Sequence, residues 1–163
     1  MNLTTVAFFF SLLLRGGLAW HPQVAADEAH VVYPQGYRNW VHVKSGLIGP
    51  AHAQFATSGG FQHIYANPQG MEGYRTRAFP EGAIVVFDWL QMRDKAGAFE
   101  EGPRRQADVM VKDSQRFAAT GGWGFQRFVK DSAERATTPT PQQCFACHNN
   151  LKKDGLILSH YRP

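Results

Sequence analysis

The sequence predicts a mainly β fold with a few short helices (α+β), and three observations lead to this prediction. Residues 83–90 form a nearly continuous apolar run, which is typical of a strand buried on both faces. Several other short runs are rich in β-branched and aromatic residues and are bounded by glycine, proline or asparagine. The chain also lacks the set of long amphipathic helices from which a helix bundle is built. We therefore expect four or five strands with short helices between them.

The first half of the chain alternates short structured segments with loops. Asn67 is suited to cap a helix that begins at Pro68, because the N–H that proline lacks would be unpaired at that position. Gly59 and Gly60 end a segment of small residues that is typical of a loop. In chain order, we predict a short helix running into a strand over 37–44, a loop over 45–60, a strand over 61–66, a helix over 68–77 and a turn at 80–82.

The second half of the chain begins with the strand over 83–90. A charged and glycine-rich segment follows it, which indicates a hairpin loop. Asp113 and Ser114 are suited to cap a short helix, and glycines on both sides of Trp123 interrupt the chain before the next strand. After residue 90, we predict a hairpin loop over 93–104, a return strand over 105–112, a helix over 113–119, a strand over 125–129, a helix opening near Pro141 and a mostly irregular tail over 149–163.

Length and composition fit one folded domain. The chain has 163 residues, of which 44% are hydrophobic, enough for a real core. Its formal net charge is +4, but it contains no dense run of basic residues, so nucleic-acid binding has little support. Aromatic residues make up 13% of the chain, which suits a protein that encloses a large flat apolar cofactor and equally suits an ordinary aromatic core.

Residues 1–26 are predicted to be an export signal. The apolar run Val6–Leu14 has the length of a signal's hydrophobic region and is too short to span a bilayer. Small residues place the cleavage site after Ala19 or after Ala26. The segment before the run has no Lys or Arg, so an uncleaved anchor is the alternative. Export predicts a periplasmic protein in which residues 27–163 form a single domain, with no membrane span after cleavage.

The only two cysteines of the chain, Cys144 and Cys147, stand three positions apart, and His148 follows directly. This C-x-x-C-H pattern is the attachment signature of a c-type haem. Two thiols about one helical turn apart can each add to a vinyl group of one porphyrin, and the adjacent imidazole can bind the iron. The sequence therefore predicts one haem c, attached through Cys144 and Cys147, with His148 as axial ligand. Attachment of c-type haem takes place outside the cytoplasm, which agrees with export.

Three other interpretations of the cysteine pair have weaker support. A thioredoxin-like redox pair would need βαβ surroundings, and none are predicted around Cys144. A zinc site would need further ligands, and His160 alone does not complete a tetrahedron. A structural disulfide would close so small a loop that it would constrain the chain little.

Several short motifs follow one another in a specific order along the chain. They are Tyr37-Arg38-x-Trp40, His63-Ile64-Tyr65-Ala66-Asn67, the segment 79–88 (Phe-Pro-Glu-Gly-Ala-Ile-Val-Val-Phe-Asp), Val111-Lys112-Asp113-Ser114 with Arg116-Phe117, Gly122-Trp123-Gly124-Phe125, and Cys144-x-x-Cys147-His148 with Asp154 and Tyr161-Arg162-Pro163. In order and spacing they resemble the cytochrome P-460 family, which includes the β-sheet cytochromes c′-beta. The resemblance covers nearly the whole exported chain. It implies an antiparallel β-rich fold, often dimeric, with one c-type haem whose iron is five-coordinate, His148 being proximal and the distal face open.

Two activities are known in that family. Cytochrome P-460 proper oxidises hydroxylamine and has a lysine covalently joined to the porphyrin, whereas the cytochromes c′-beta lack this link and bind nitric oxide or carbon monoxide beneath aromatic residues. The crosslinking lysine aligns with Phe87, and the strand over 83–90 contains no lysine. The resemblance therefore implies the gas-binding branch, with Phe87 facing the haem and Phe61 and Phe55 as weaker candidates for a second distal aromatic residue. An apolar distal wall would favour neutral diatomic ligands over ions.

Other polar side chains are expected to be structural. His63, in a predicted strand, is interpreted as a core histidine with satisfied hydrogen bonds rather than as a sixth ligand or proton donor. Asp88 is interpreted as a locally hydrogen-bonded carboxylate at a strand end, with a general base as the alternative. Arg104 and Arg105 are expected in an exposed charged loop, with pairing to a haem propionate or a distal anion as the alternative.

The sequence thus predicts a periplasmic monohaem cytochrome that binds nitric oxide or carbon monoxide. Two other functions remain open. One is a hydroxylamine or nitric oxide oxidoreductase that works without the lysine link. The other is an electron-transfer protein with a six-coordinate haem, in which Met92 or Met110 binds the iron instead of packing in the core. The expected partners are a diatomic gas or small nitrogen oxide, a redox partner cytochrome and a second copy of the chain.

Overall fold

The regular structure of residues 30–162, the part of the chain that the computed structural model describes, is built on one antiparallel sheet. Its five strands follow one another in chain order, so each strand pairs with its neighbours in sequence. The predicted mainly β fold with an antiparallel sheet and short helices is confirmed. The elements are β1 (Val41–Ile48), α1 (Phe55–Ser58), β2 (Gly60–Ala66), α2 (Pro68–Thr76), β3 (Ile84–Lys95), β4 (Ala98–Lys112), β5 (Trp123–Val129) and α3 (Pro141–His148), with 3₁₀ turns at Tyr37–Asn39, Ala118–Thr120 and Asn149–Asp154.

The predicted export signal lies outside the described residues. Residues 1–29 and Pro163 are not part of the description, so the signal over 1–26 stays a prediction. Among residues 30–162, no helix combines the length and the hydropathy that a bilayer crossing requires.

Asn67 joins helix α2 to strand β3. Its Oδ1 accepts hydrogen bonds from the N–H of Gly70, at 2.8 Å, and from the N–H of Ile84, at 2.9 Å. Its Nδ2 donates to the carbonyl of Gly82 at 2.9 Å. The predicted N-cap is confirmed, and the same side chain also holds the turn that leads into β3.

The prediction of a hairpin loop over 93–104 is wrong. Strands β3 and β4 continue through this segment, and only Ala96 and Gly97 form the turn between them. Both residues have positive φ, 55° and 89°, as a two-residue hairpin turn requires, and the N–H of Gly97 donates to Oδ1 of Asp94 at 2.9 Å. The end of the hairpin is exposed on both faces, so its strands do not require alternating apolar and polar residues. Their polar composition therefore resembles that of a loop.

Three further predictions are only partly right. The loop predicted over 45–60 contains the second half of β1, which extends to pair Ile48 with Gly60, and the one-turn helix α1. The helix predicted over 113–119 is a turn followed by a 3₁₀ turn, although the carboxylate of Asp113 does accept from the backbone N–H groups of Gln115 and Arg116. The tail contains the 3₁₀ turn at Asn149–Asp154.

The two faces of the sheet have separate cores, because successive side chains of a strand point to opposite sides. On β3, Val85 and Phe87 belong to the first face, and Val86 and Asp88 belong to the second face. The first face packs against helix α2 and the tail; its core includes Ile64, Met71, Tyr74, Val85, Met110, Phe125, Leu156 and Ile157. The second face packs against the segment before β1; its core includes Val31, Tyr37, Val86, Val109, Phe117 and Phe128.

Asp88 lies in the middle of β3, fully buried, and not at a strand end as predicted. Its Oδ2 accepts from Nε and Nη2 of Arg38, at 2.8 and 2.6 Å, and its Oδ1 accepts from Nε of Arg104 at 2.7 Å. Arg104 is therefore not in an exposed loop, since only 8% of its side chain is accessible. The neighbouring Arg105 donates to the carbonyls of Thr57 and Gly59 and so ties β4 to the connection before β2. Both arginines are structural.

Candidate haem site

A cavity of about 540 Å³ opens on the first face of the sheet, within the roughly 300–1,000 Å³ that is typical of ligand and cofactor sites. Side chains from all five strands and from helix α3 line it. Its apolar part includes Ile64, Phe87, Trp89, Met110 and Phe125. Cys144, Cys147 and His148 all contribute to the lining as well. The structure therefore brings the three residues of the C-x-x-C-H motif to one large and mainly apolar cavity.

Helix α3 holds these three residues on one side. Positions three and four apart in a helix are neighbours, so Cys147 and His148 both lie near Cys144. The helix begins with a capping box: the N–H of Gln143 donates to Oγ1 of Thr140 at 3.3 Å, and the N–H of Thr140 donates to Oε1 of Gln143 at 2.8 Å. Pro141 occupies the first turn, where its missing N–H has no cost. Local signals in the sequence thus define the start of the helix and the orientation of the motif.

Thr140→Ala is expected to lower the free energy of unfolding by about 1 kcal/mol, because it removes one half of the capping box. Chemical denaturation followed by far-UV circular dichroism would measure the change. Thr137→Ala is a matched control, since Thr137 is exposed and lies outside the helix. An equal loss in both variants would contradict a capping role for Thr140.

His148 is oriented by a hydrogen bond to the tail. Its Nδ1 lies 2.6 Å from the carbonyl oxygen of Leu156, which is an acceptor only, so Nδ1 carries the proton. The other ring nitrogen, Nε2, then has a free lone pair, which is the arrangement found in histidines that bind metals. The ring of Phe125 packs against the imidazole, with 5.3 Å between the ring centroids. The residues around His148 thus fit an axial ligand to a haem iron.

The two cysteines differ in their surroundings. Cys144 is half-buried, and burial raises the pKa of its thiol. The carboxylate of Asp108 adds to this increase in pKa, and the guanidinium of Arg127 opposes it. Cys147 is exposed at the rim of the cavity. The two thiols are not joined in a disulfide, so both are available to a ligand in the cavity.

Of the predicted distal residues, the structure brings Phe87 to the cavity and leaves Phe61 outside it. Phe87 is half-buried on the first face, between Ile64 on β2 and Asp108 on β4. The cavity-lining residues of β2 are Gln62 and Ile64, so the alternation of the strand directs Phe61 to the second face. There its ring stacks on His63, with 6.2 Å between the centroids. Phe55, on α1, is also absent from the lining.

His63 lies on the second face as well, and both of its ring nitrogens have partners. Nδ1 lies 2.6 Å from Oγ of Ser45, and Nε2 lies 2.6 Å from Oε1 of Glu101. The side chain is 14% exposed. The structure thus places it away from the cavity, with satisfied hydrogen bonds as the sequence indicated.

The cavity contains an ion pair that sequence reasoning missed. Nε and Nη2 of Arg127 donate to Oδ1 and Oδ2 of Asp108 at 2.6 and 2.9 Å, and Gln106 donates to the same carboxylate at 3.0 Å. This pairing raises the pKa of Arg127. The two residues stand opposite each other on β4 and β5 and are far apart in sequence. No local pattern identifies such a pair, because only the strand register brings its members together.

The fold and the cavity define a mainly β protein with a cofactor site beneath a C-x-x-C-H helix, and the size, apolar lining and available imidazole of this site fit a haem. A comparison with protein-family models matches the Cytochrome P460 family over residues 34–159. The chain therefore belongs to the cytochrome P460 family and is a haem-binding cytochrome. A search of curated proteins found no match.

Proposed function

We propose that this protein is a gas-binding cytochrome of the cytochrome c′-beta type, with one haem c held through Cys144 and Cys147 and with His148 as the only protein ligand to the iron. When bound, the haem supplies an iron atom with one open coordination position for nitric oxide or carbon monoxide. The observation that carries the proposal is the location of Phe87. This aromatic side chain lines the cavity at the position that aligns with the crosslinking lysine of the hydroxylamine oxidases.

The arrangement of the lining supports an open sixth position. Met110 stands opposite Phe125 on the neighbouring strand, and Phe125 packs against His148. Met110 is 3% exposed and packs in the core of the first face, so its thioether is used for packing. Met92 is not among the lining residues, and His63 lies on the opposite face of the sheet. These positions disfavour a six-coordinate electron carrier.

The test is the absorption spectrum of the purified holoprotein, reduced, with and without carbon monoxide or nitric oxide. The proposal predicts a five-coordinate ferrous spectrum that changes when gas is added. An unchanged spectrum would favour the electron carrier and would contradict the proposal.

Phe87→Ala is expected to raise the rate of carbon monoxide association at least several-fold, because it removes an aromatic ring from the wall of the ligand cavity. Flash photolysis of the ferrous carbon monoxide complex would measure the rate. Phe61→Ala removes the same ring from the neighbouring strand on the opposite face, and we expect it to leave the rate unchanged. If both variants behaved like the wild type, Phe87 would not face the ligand.

A second candidate function is a hydroxylamine or nitric oxide oxidoreductase, and the ion pair of Asp108 and Arg127 favours it. A carboxylate and a guanidinium beside Phe87 give the cavity polar groups that can hold or orient protons, which an entirely apolar wall would lack.

Hydroxylamine-dependent reduction of an external electron acceptor would support this alternative. Peptide mapping would show whether a lysine is joined to the haem; a haem peptide linked to a lysine-containing strand would contradict the assignment of Phe87.

The cellular context is proposed from the sequence. The predicted signal over 1–26 and the attachment chemistry of haem c support an exported, periplasmic protein. A homodimer and a redox partner cytochrome are proposed from the resemblance described above. Fractionation of cells and the mass of the native protein would test the location and the dimer.

A further inference from the structure

Among the described residues, three charged side chains of the strands line the cavity, and one of these three has no partner. Asp108 on β4 and Arg127 on β5 neutralise each other through the two hydrogen bonds given above. Lys44, on β1, is exposed at the rim. Within residues 30–162, its ammonium group has no hydrogen-bond or ion-pair partner. The strands therefore present one uncompensated positive charge to the cavity.

Lys44 stands at the opposite end of the sheet from the attachment helix. Because neighbouring strands are about 4.8 Å apart, four strand spacings separate the ends of a row across the sheet by roughly 19 Å. Helix α3 packs against β5, at the other end from β1. The cysteines consequently lie at one end of the cavity and Lys44 lies towards the other. The row consists of Lys44, Ile64, Phe87, Asp108 and Arg127.

A haem attached in this way carries its negative charges on the edge that faces away from the cysteines. The carbon atoms that form thioethers derive from the two vinyl groups on one edge of the porphyrin, and the two propionate carboxylates lie on the opposite edge. A carboxylate at the rim of a mainly apolar cavity is stabilised by a cation within hydrogen-bond reach. Lys44 is the strand cation that is available for this purpose, because Arg127 is already bound to Asp108.

We propose that Lys44 binds a propionate carboxylate of the haem and thereby fixes the orientation of the porphyrin in the cavity. The inference rests on the proposed attachment through Cys144 and Cys147. The sequence had suggested Arg104 and Arg105 as alternatives for this role, but Arg104 is committed to Asp88 and Arg105 to backbone carbonyls. Lys44 is thus a cofactor-binding residue that no local motif identifies.

The midpoint potential of the haem tests this proposal without depending on activity. Lys44→Gln removes a positive charge near the iron, which favours the ferric state, so we expect the potential to fall. Lys44→Arg keeps the charge and is expected to retain a potential close to that of the wild type. Lys95→Gln is the matched control: it removes the same charge at the hairpin end, where Lys95 pairs with Glu100 at 2.5 Å, and should leave the potential unchanged.

Chemical modification of the wild-type holoprotein gives a second readout that needs no variant to fold. An amine-reactive acetylating reagent is expected to modify Lys44 several-fold more slowly than Lys130, because a carboxylate would hold the Lys44 ammonium group, whereas Lys130 is exposed and its ammonium group has no ion-pair partner among residues 30–162. Mass spectrometry of tryptic peptides would measure both rates. Equal acetylation rates of the two lysines, together with equal haem midpoint potentials in the Lys44→Gln and Lys95→Gln variants, would overturn the proposal.

Two other experimental results would separate a failure of the Lys44 ion pair from a failure of the proposed haem attachment. A peptide in which Lys44 is itself covalently joined to the porphyrin would overturn the ion pair. A protein that carries no covalent haem would overturn the proposed attachment and the Lys44 inference together, and its absorption spectrum would reveal this before any potential is measured.

Discussion

Replacing both Cys144 and Cys147 with serine is expected to abolish the covalent retention of haem. A serine hydroxyl does not form the thioether that a thiol forms with a vinyl group, so a haem in the variant would be held only by His148 and by contacts in the cavity. Denaturation would release it. Haem staining of a denaturing gel, after expression with a working maturation apparatus, would show a stained wild-type band and an unstained variant band.

Ala146→Ser is the matched control for this prediction. It introduces a serine between the two cysteines, at an exposed position of helix α3, and removes no thiol. We expect it to stain like the wild type, and each single cysteine variant to keep one thioether. A stained double variant would show that another side chain holds the haem. An unstained wild type would contradict haem c altogether.

Asp88→Asn is expected to lower the free energy of unfolding by about 3 kcal/mol, the largest effect on stability that we predict. The change keeps the shape of the side chain and removes its charge, which leaves the largely buried Arg104 without its carboxylate partner on β3. Breaking a buried ion pair by removing one charge typically costs about 3–5 kcal/mol. Two features keep the expected loss at the lower end of this range. Oδ1 of Asp131 lies 2.5 Å from Nη1 of Arg104 and remains as a partner, and Arg38 is partly exposed, so water can solvate its charge.

Urea denaturation of variants with matched haem content would measure this effect. Glu72→Gln provides the comparison, because it breaks an exposed ion pair with Arg75 on helix α2. Exposed pairs contribute little, so we expect no measurable change there. If Asp88→Asn were as stable as Glu72→Gln, the buried network on the second face would not stabilise the sheet.

Elements with strong local signals could be predicted from the sequence. The cap at Asn67 and the strand that follows Gly82 were both recognised, as was the start of helix α3 near Pro141. In each case the residues that define the element are adjacent in the chain. The C-x-x-C-H motif belongs to the same class, because its meaning depends on the spacing of three residues within one helix.

Other features depended on how the strands pair. The polar outer part of the β3–β4 hairpin was mistaken for a loop, since its strands gain order from pairing with each other and not from burial. Phe61 was proposed for the cavity although it lies on the opposite face, because a shift of one residue reverses the direction of a side chain in a strand. Asp88 was assigned to a strand end because β3 continues past residue 90 into the segment that was predicted as a loop.

The sequence by itself determined the fold class, the helix that carries Cys144, Cys147 and His148, and the chemistry that those three residues offer, because capping, spacing and residue type act over a few positions. Only the tertiary structure decided that Phe87 faces the cavity, that Asp108 pairs with Arg127, and that Lys44, at the far rim, has no ion-pair partner among the residues that the structure describes. The register between strands brings these side chains together, and the free energy that selects that register belongs to the whole sheet and its two cores.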